Sequence, residues 1–113
     1  MDALPQNIDD CIKDALTEVE SLVRAAFAKV GGVAPPGSAL DQNGLADCRD
    51  VVMEFLHAGE AELALGHLIY MVHEPALPIS HRAYACIESA GRAMGMEERL
   101  WEKIRPSGNA ADG

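Results

Sequence analysis

The chain has 113 residues, almost half of them apolar, with three cysteines and a formal net charge of −9 at pH 7. That length specifies one domain able to bury a core without disulfides or metals, and the apolar fraction excludes a disordered polyelectrolyte. The excess of acid argues against nucleic acid or an anionic membrane surface as partner, because phosphate contacts need Lys and Arg.

The opening stretch MDALPQNIDD has neither a basic region nor an apolar run, so no signal peptide is expected. No apolar stretch approaches the roughly 20 residues of a membrane span, and a cytoplasmic protein is expected. Residues 7–30 read as one long helix, since Ile8, Cys11, Ile12, Ala15, Val19, Leu22, Val23, Ala26 and Val30 recur at three and four. Pro5 and Asn7 mark its start and Gly31-Gly32 its end. The uncharged stretch GGVAPPGSAL, residues 31–40, is a loop. A second helix is predicted from about 43 to 58, with Leu45, Cys48, Val51, Val52, Phe55 and Leu56 on one side and Gly59 as its stop. A third starts near Glu60 and runs to about 73. Leu63, Ala64, Leu65, Leu68, Ile69, Met71 and Val72 make it apolar on most sides, which predicts a central position. Pro75 and Pro78 break the chain, and Ser80 is placed to cap a fourth helix, 81–94, with Tyr84, Ile87, Ala90 and Met94 inward and Gly95 closing it. A short fifth helix, 97–104, carries Leu100, Trp101 and Ile104, and residues 106–113 read as a loose tail. No alternating β pattern and no internal repeat occurs. The predicted fold is all-α, a compact bundle of four to five helices forming a single domain over 1–113.

The acid is unevenly placed. Residues 1–62 carry twelve carboxylates against four bases, a net of −8, whereas residues 63–113 carry six against five, a net of −1. Helical phase sorts the first group into ridges. Asp10, Asp14 and Glu18 are spaced by four, and Asp47, Asp50 and Glu54 by three and four, each set opposite an apolar face. Like charges at these spacings cost a helix about 0.2–0.5 kcal/mol per pair, and neither ridge contains a base. One reading is a solvated face that maintains solubility; the other is a surface that meets a basic partner. On the third helix Glu60, His67 and Glu74 lie seven apart with Tyr70 beside them. They form either a helix boundary or a contact stripe anchored by Tyr70 with a carboxylate rim.

Chemistry has little local support. Cys11, Cys48 and Cys86 form no CxxC and fall in phase with apolar neighbours, as buried reduced thiols do. His57, His67, His73 and His81 make no i,i+4 pair and no HExxH, so no metal site is expected. Ser38 precedes a helix in an acidic helical chain, the setting of the modified Ser in acyl carrier proteins. Those place Asp immediately before that Ser, and here Gly37 stands there. No nucleophile–base grouping and no Gly-rich phosphate loop is present, so neither an enzyme nor a cofactor is expected.

The stretch Phe55-Leu56-His57-Ala58-Gly59-Glu60-Ala61-Glu62-Leu63-Ala64-Leu65, followed by Leu68, Glu74, Pro78-Ile79-Ser80, Tyr84, Ile87, Met94-Gly95 and Trp101, resembles small helical bacterial immunity proteins. The similar families are the MafI-like and contact-dependent growth inhibition types, with the colicin D immunity protein a more distant relation. The shared pattern is a helix ending in Gly-Glu, a Leu-Ala-Leu helix, an acidic residue before a loop, Ile-Ser opening the next helix and a closing Trp. The chain departs from it at Ala61, where relatives often carry an aromatic, and at Gly66, where they often carry an acid. The resemblance covers a little under half the chain, residues 55–101. It implies a non-enzymatic inhibitor that binds the C-terminal domain of a polymorphic toxin. Many such toxins are basic RNA-cutting nucleases, and an acidic helical protein complements them. The residues expected to meet the toxin are Asp47, Asp50, Glu54, Glu60 and Glu74, then Asp10, Asp14 and Glu18, with Tyr70 as anchor. The alternative is a generic helical adaptor domain, in which the acids serve solubility and the third helix provides the contact.

Overall fold

A computed structural model describes residues 5, 7–33, 36–38 and 47–106. Among them are five helices and no strand: α1 (Ile8–Lys29), α2 (Cys48–His57), α3 (Ala61–His73), α4 (His81–Ala93) and α5 (Arg99–Glu102). The all-α expectation holds, and the helix bounds match to within a residue or two except at the start of α2 and in α5. Residues 43–46, with Leu45, lie outside the described residues, as do 107–113 of the expected tail. The fifth helix is four residues rather than eight.

Helix starts follow local chemistry. Asn7 sits extended before α1 and accepts the Asp10 N–H on its side-chain oxygen at 2.8 Å. Ser80 does the same for α4, accepting the Ala83 N–H at 3.1 Å. The ends of α1, α2, α3 and α4 share one device. A residue in the left-handed region lets the next N–H reach back to a carbonyl five residues earlier. The bonds are Gly32 N to Phe27 O, Glu60 N to Phe55 O, Leu77 N to Val72 O and Met96 N to Gly91 O, at 2.8–2.9 Å. Glycine holds the left-handed position in α1, α2 and α4, but in α3 it is Ala76, at φ 53°. A Cβ there costs about 1–2 kcal/mol.

Packing is set by α3. Ala64, Leu65, Leu68, Ile69, Met71 and Val72 are buried, and α3 touches all four other helices, so its predicted central place holds. The principal pairings are α1 on α4 and α2 on α3. The core joins Ile12, Leu16 and Val19 of α1 to Val52, Leu65, Leu68, Met71, Ile87 and Trp101, all fully buried. A four-residue helix has no stability of its own. α5 is held because the Trp101 ring lies where a Cβ on Gly91 of α4 would project. No described helix is long and apolar enough to cross a membrane.

Candidate partner-binding surface

The two acidic ridges meet different surroundings. On α1 the ridge acids are taken up within the protein, while Asp9 beside them is exposed. Asp10 accepts from the Asn7 amide at 2.9 Å. Asp14 pairs with Arg82 of α4 at 2.8 Å. Glu18 accepts both the Ser80 N–H and the Ser80 hydroxyl at 2.6 Å, while Ser80 caps Ala83. A carboxylate from α1 thus supports the N-terminus of α4 through its cap, where the helix dipole favours negative charge. Glu20 is held between Arg24 at 3.3 Å and Arg49 of α2 at 2.9 Å. The expectation that no base relieves the Asp10–Asp14–Glu18 ridge is therefore corrected. Relief comes from α4, 62 and 68 residues further along the chain.

The C-terminal charges also pair. Arg92 reaches Glu88 at 3.0 Å and Glu98 at 3.4 Å, Arg99 reaches Glu97 at 2.9 Å, and Arg105 reaches Glu98 at 3.5 Å and the Tyr84 hydroxyl at 3.3 Å. Every arginine of the chain thus has a carboxylate partner, and none of those partners lies on α2 or α3.

On α2, Asp47, Asp50 and Glu54 are exposed along one line that His57 continues. Glu60, Glu62 and Glu74, in and beside α3, are exposed as well. Asp47 and Glu60 occupy the residue before each helix but make no side-chain cap bond. None of these six carboxylates has an ion pair or side-chain hydrogen bond with a described residue. The placement therefore separates the nine expected contact residues. Asp47, Asp50, Glu54, Glu60 and Glu74 project freely, Asp14 and Glu18 are engaged, and Asp10 is exposed but spent on the α1 cap.

The outer face of α3 carries two residues that sequence reasoning did not select. Leu63, one of the apolar residues from which a central third helix is predicted, is 52% exposed. Its neighbours Gly59, Glu60, Glu62 and Met94 line a shallow hollow beside it. Gly66, one turn on, is exposed in mid-helix, and a Cβ there would meet nothing within 4 Å. Glycine costs a helix interior about 1 kcal/mol against alanine. That mid-helix glycine, three after a leucine and four before a tyrosine, was the available signal. Tyr70 is half-buried, its ring centroid 5.5 Å from that of His67. A groove of about 140 Å³ runs between α3 and the C-terminal segment, lined by Gly66, Ile69, Tyr70, Glu74, Met96 and Leu100, with His73 and Lys103 at its edge.

Elsewhere there is little for chemistry to use. A wide hollow between α1 and α4 is open and lined by Asp10, Lys13, Asp14, Glu18 and Arg82, whose carboxylates are already engaged. Among the described residues no three His, Cys, Asp or Glu side chains gather as a metal site would require. Cys11, Cys48 and Cys86 are all free and buried. Burial pushes each thiol up, assisted by Asp14 for Cys11, Glu20 for Cys48 and Asp14 for Cys86, the last to about 11. These are the least nucleophilic forms of the residue. No family model, no curated protein and no solved structure matches the chain.

Proposed function

We propose that the protein is an immunity-type inhibitor, acting in the cytoplasm, that binds a basic toxin domain and blocks it without catalysis. The carrying observation is the division of its acid. Asp10, Asp14, Glu18 and Glu20 of α1 and Glu88 of α4 are matched by bases or caps, with Asp9 the exposed exception on α1, whereas Asp47, Asp50, Glu54, Glu60, Glu62 and Glu74 all stand exposed with no ion pair to a described residue. Unmatched like charge along a helix lowers stability, so a fold tuned for stability alone has a reason to relieve it, as it does elsewhere in this molecule. The resemblance of residues 55–101 to MafI-like and contact-dependent growth inhibition immunity proteins supplies the partner class, a toxin C-terminal domain and most simply a nuclease whose RNA-binding face is basic. Inhibition then combines steric cover of that face with charge complementarity, which accelerates encounter.

The test is co-expression with the C-terminal toxin domain encoded immediately upstream. Cells carrying this protein survive induction of the toxin, and cells carrying Asp50→Lys with Glu54→Lys survive poorly. Survival independent of this protein, or a neighbouring reading frame with no toxic domain, ends the reading.

A further inference from the structure

The outer stripe of α3 has a form that solubility does not require. Leu63, Gly66 and Tyr70 fall at i, i+3 and i+7, on one face. Leu63 is the most exposed leucine of the described core helices, and Gly66 is the one glycine within α3. Nothing inside the fold needs that glycine. Its backbone is not left-handed and an added Cβ would touch nothing. Its one consequence is external: it lowers the wall of the groove that Ile69, Tyr70, Met96 and Leu100 line. The lining is mainly aliphatic and aromatic. His73, Glu74 and Lys103 complete the lining. At about 140 Å³ the groove has the size of one apolar side chain. In the neighbouring hollow, one turn back along α3, Glu60 and Glu62 are exposed acids with no ion pair to a described residue.

We infer that the groove at Gly66 seats a single apolar side chain, of the size of leucine or methionine, carried on a Lys- or Arg-rich segment of the partner protein. Gly66 admits close approach of that segment, Leu63 and Tyr70 flank it, and the adjacent carboxylates face its basic neighbours. The inference rests on the reading that this surface meets a basic protein, and it names the anchor point within that surface.

The test separates the groove from the charge around it. Two short synthetic peptides are titrated into the full chain by two-dimensional NMR. One is a leucine flanked by lysines, and the other has glycine in its place. The leucine peptide shifts the amide resonances of Gly66, Tyr70 and Leu100 saturably. The glycine peptide binds there about tenfold more weakly, the effect of burying one apolar side chain. Gly66→Leu fills the groove, abolishes those shifts and raises Tm, because leucine is a better helix former than glycine; Gly66→Ala weakens binding less and raises Tm at least as much, alanine being the best helix former. Identical shifts from both peptides, or unaltered binding by Gly66→Leu, overturn the groove. If Gly66→Leu still protects cells fully while Asp50→Lys with Glu54→Lys does not, the groove is overturned and the inhibitor reading survives. If the leucine peptide seats at Gly66 but no toxin is neutralised, the inhibitor reading fails and the groove stands.

Discussion

Two acidic ridges of similar spacing, one on α1 and one on α2, serve different ends in the same molecule. The α1 ridge faces α4, where Arg82 and the Ser80 cap take up Asp14 and Glu18. The α2 ridge faces outward with no base beside it. Spacing alone does not reveal what a charged face is for. The neighbouring element decides whether it ties the fold together or remains available.

Substitutions sharpen the contrast. The largest expected effect is at Glu18→Ala, which leaves the α4 cap without its carboxylate. Two charge-assisted hydrogen bonds are lost at a half-buried site, and stability falls by about 2 kcal/mol in denaturant unfolding. An unchanged midpoint would put α1 in the same class as α2. Next is Asp50→Lys combined with Glu54→Lys. Unfolding changes by no more than about 0.5 kcal/mol, whereas association with a basic toxin domain slows about tenfold at low salt and loses its salt dependence. A large loss of stability instead would reveal an unrecognised internal role for the α2 ridge. Gly66→Ala is expected to stabilise by about 1 kcal/mol while weakening partner binding, opposite signs that no α1 substitution should give. Ala76→Gly, remote from both ridges, should stabilise by about 0.5–1 kcal/mol by relieving the left-handed alanine. It calibrates how much a purely local change is worth here.

A pH dependence of the α1–α4 seam, where Cys11 and Cys86 lie, emerges only above pH 9. Burial raises the folded Cys86 thiol to about 11, above the ordinary value of 9.0. Between those values the unfolded chain has lost a proton that the folded chain keeps, so stability is full below pH 9 and declines as pH rises through about 11. Urea midpoints measured across that window should fall, and Cys86→Ala should flatten the decline.

Much of the fold was legible because it is local. Asn7 and Ser80 as caps, Gly59 and Gly95 as stops and the apolar phase of α1, α2 and α4 are short-range signals. Tertiary assignments were not. The Glu18–Ser80 and Asp14–Arg82 contacts join α1 to α4 across more than half the chain, and no spacing rule reaches that far. The side of α3 that stays exposed at Leu63 is not legible because the helix is apolar on nearly every side, which removes the contrast on which phase depends. Its exposure is a property of the assembled bundle, which leaves that side of α3 uncovered. The α2 acids were placed correctly because a ridge with no partner needs only its own helix to define it.

Trp101 is the sole tryptophan of the chain, fully buried, with its indole N–H unpartnered among the described residues. An indole in a dry setting fluoresces at the blue end of its range. Its neighbour Leu100 lines the groove beside Gly66. The molecule therefore carries its own optical reporter, one residue behind the surface where a partner's side chain is proposed to seat. A change in emission on mixing would register docking without any label, and α1 substitutions that leave the fold intact would not disturb it.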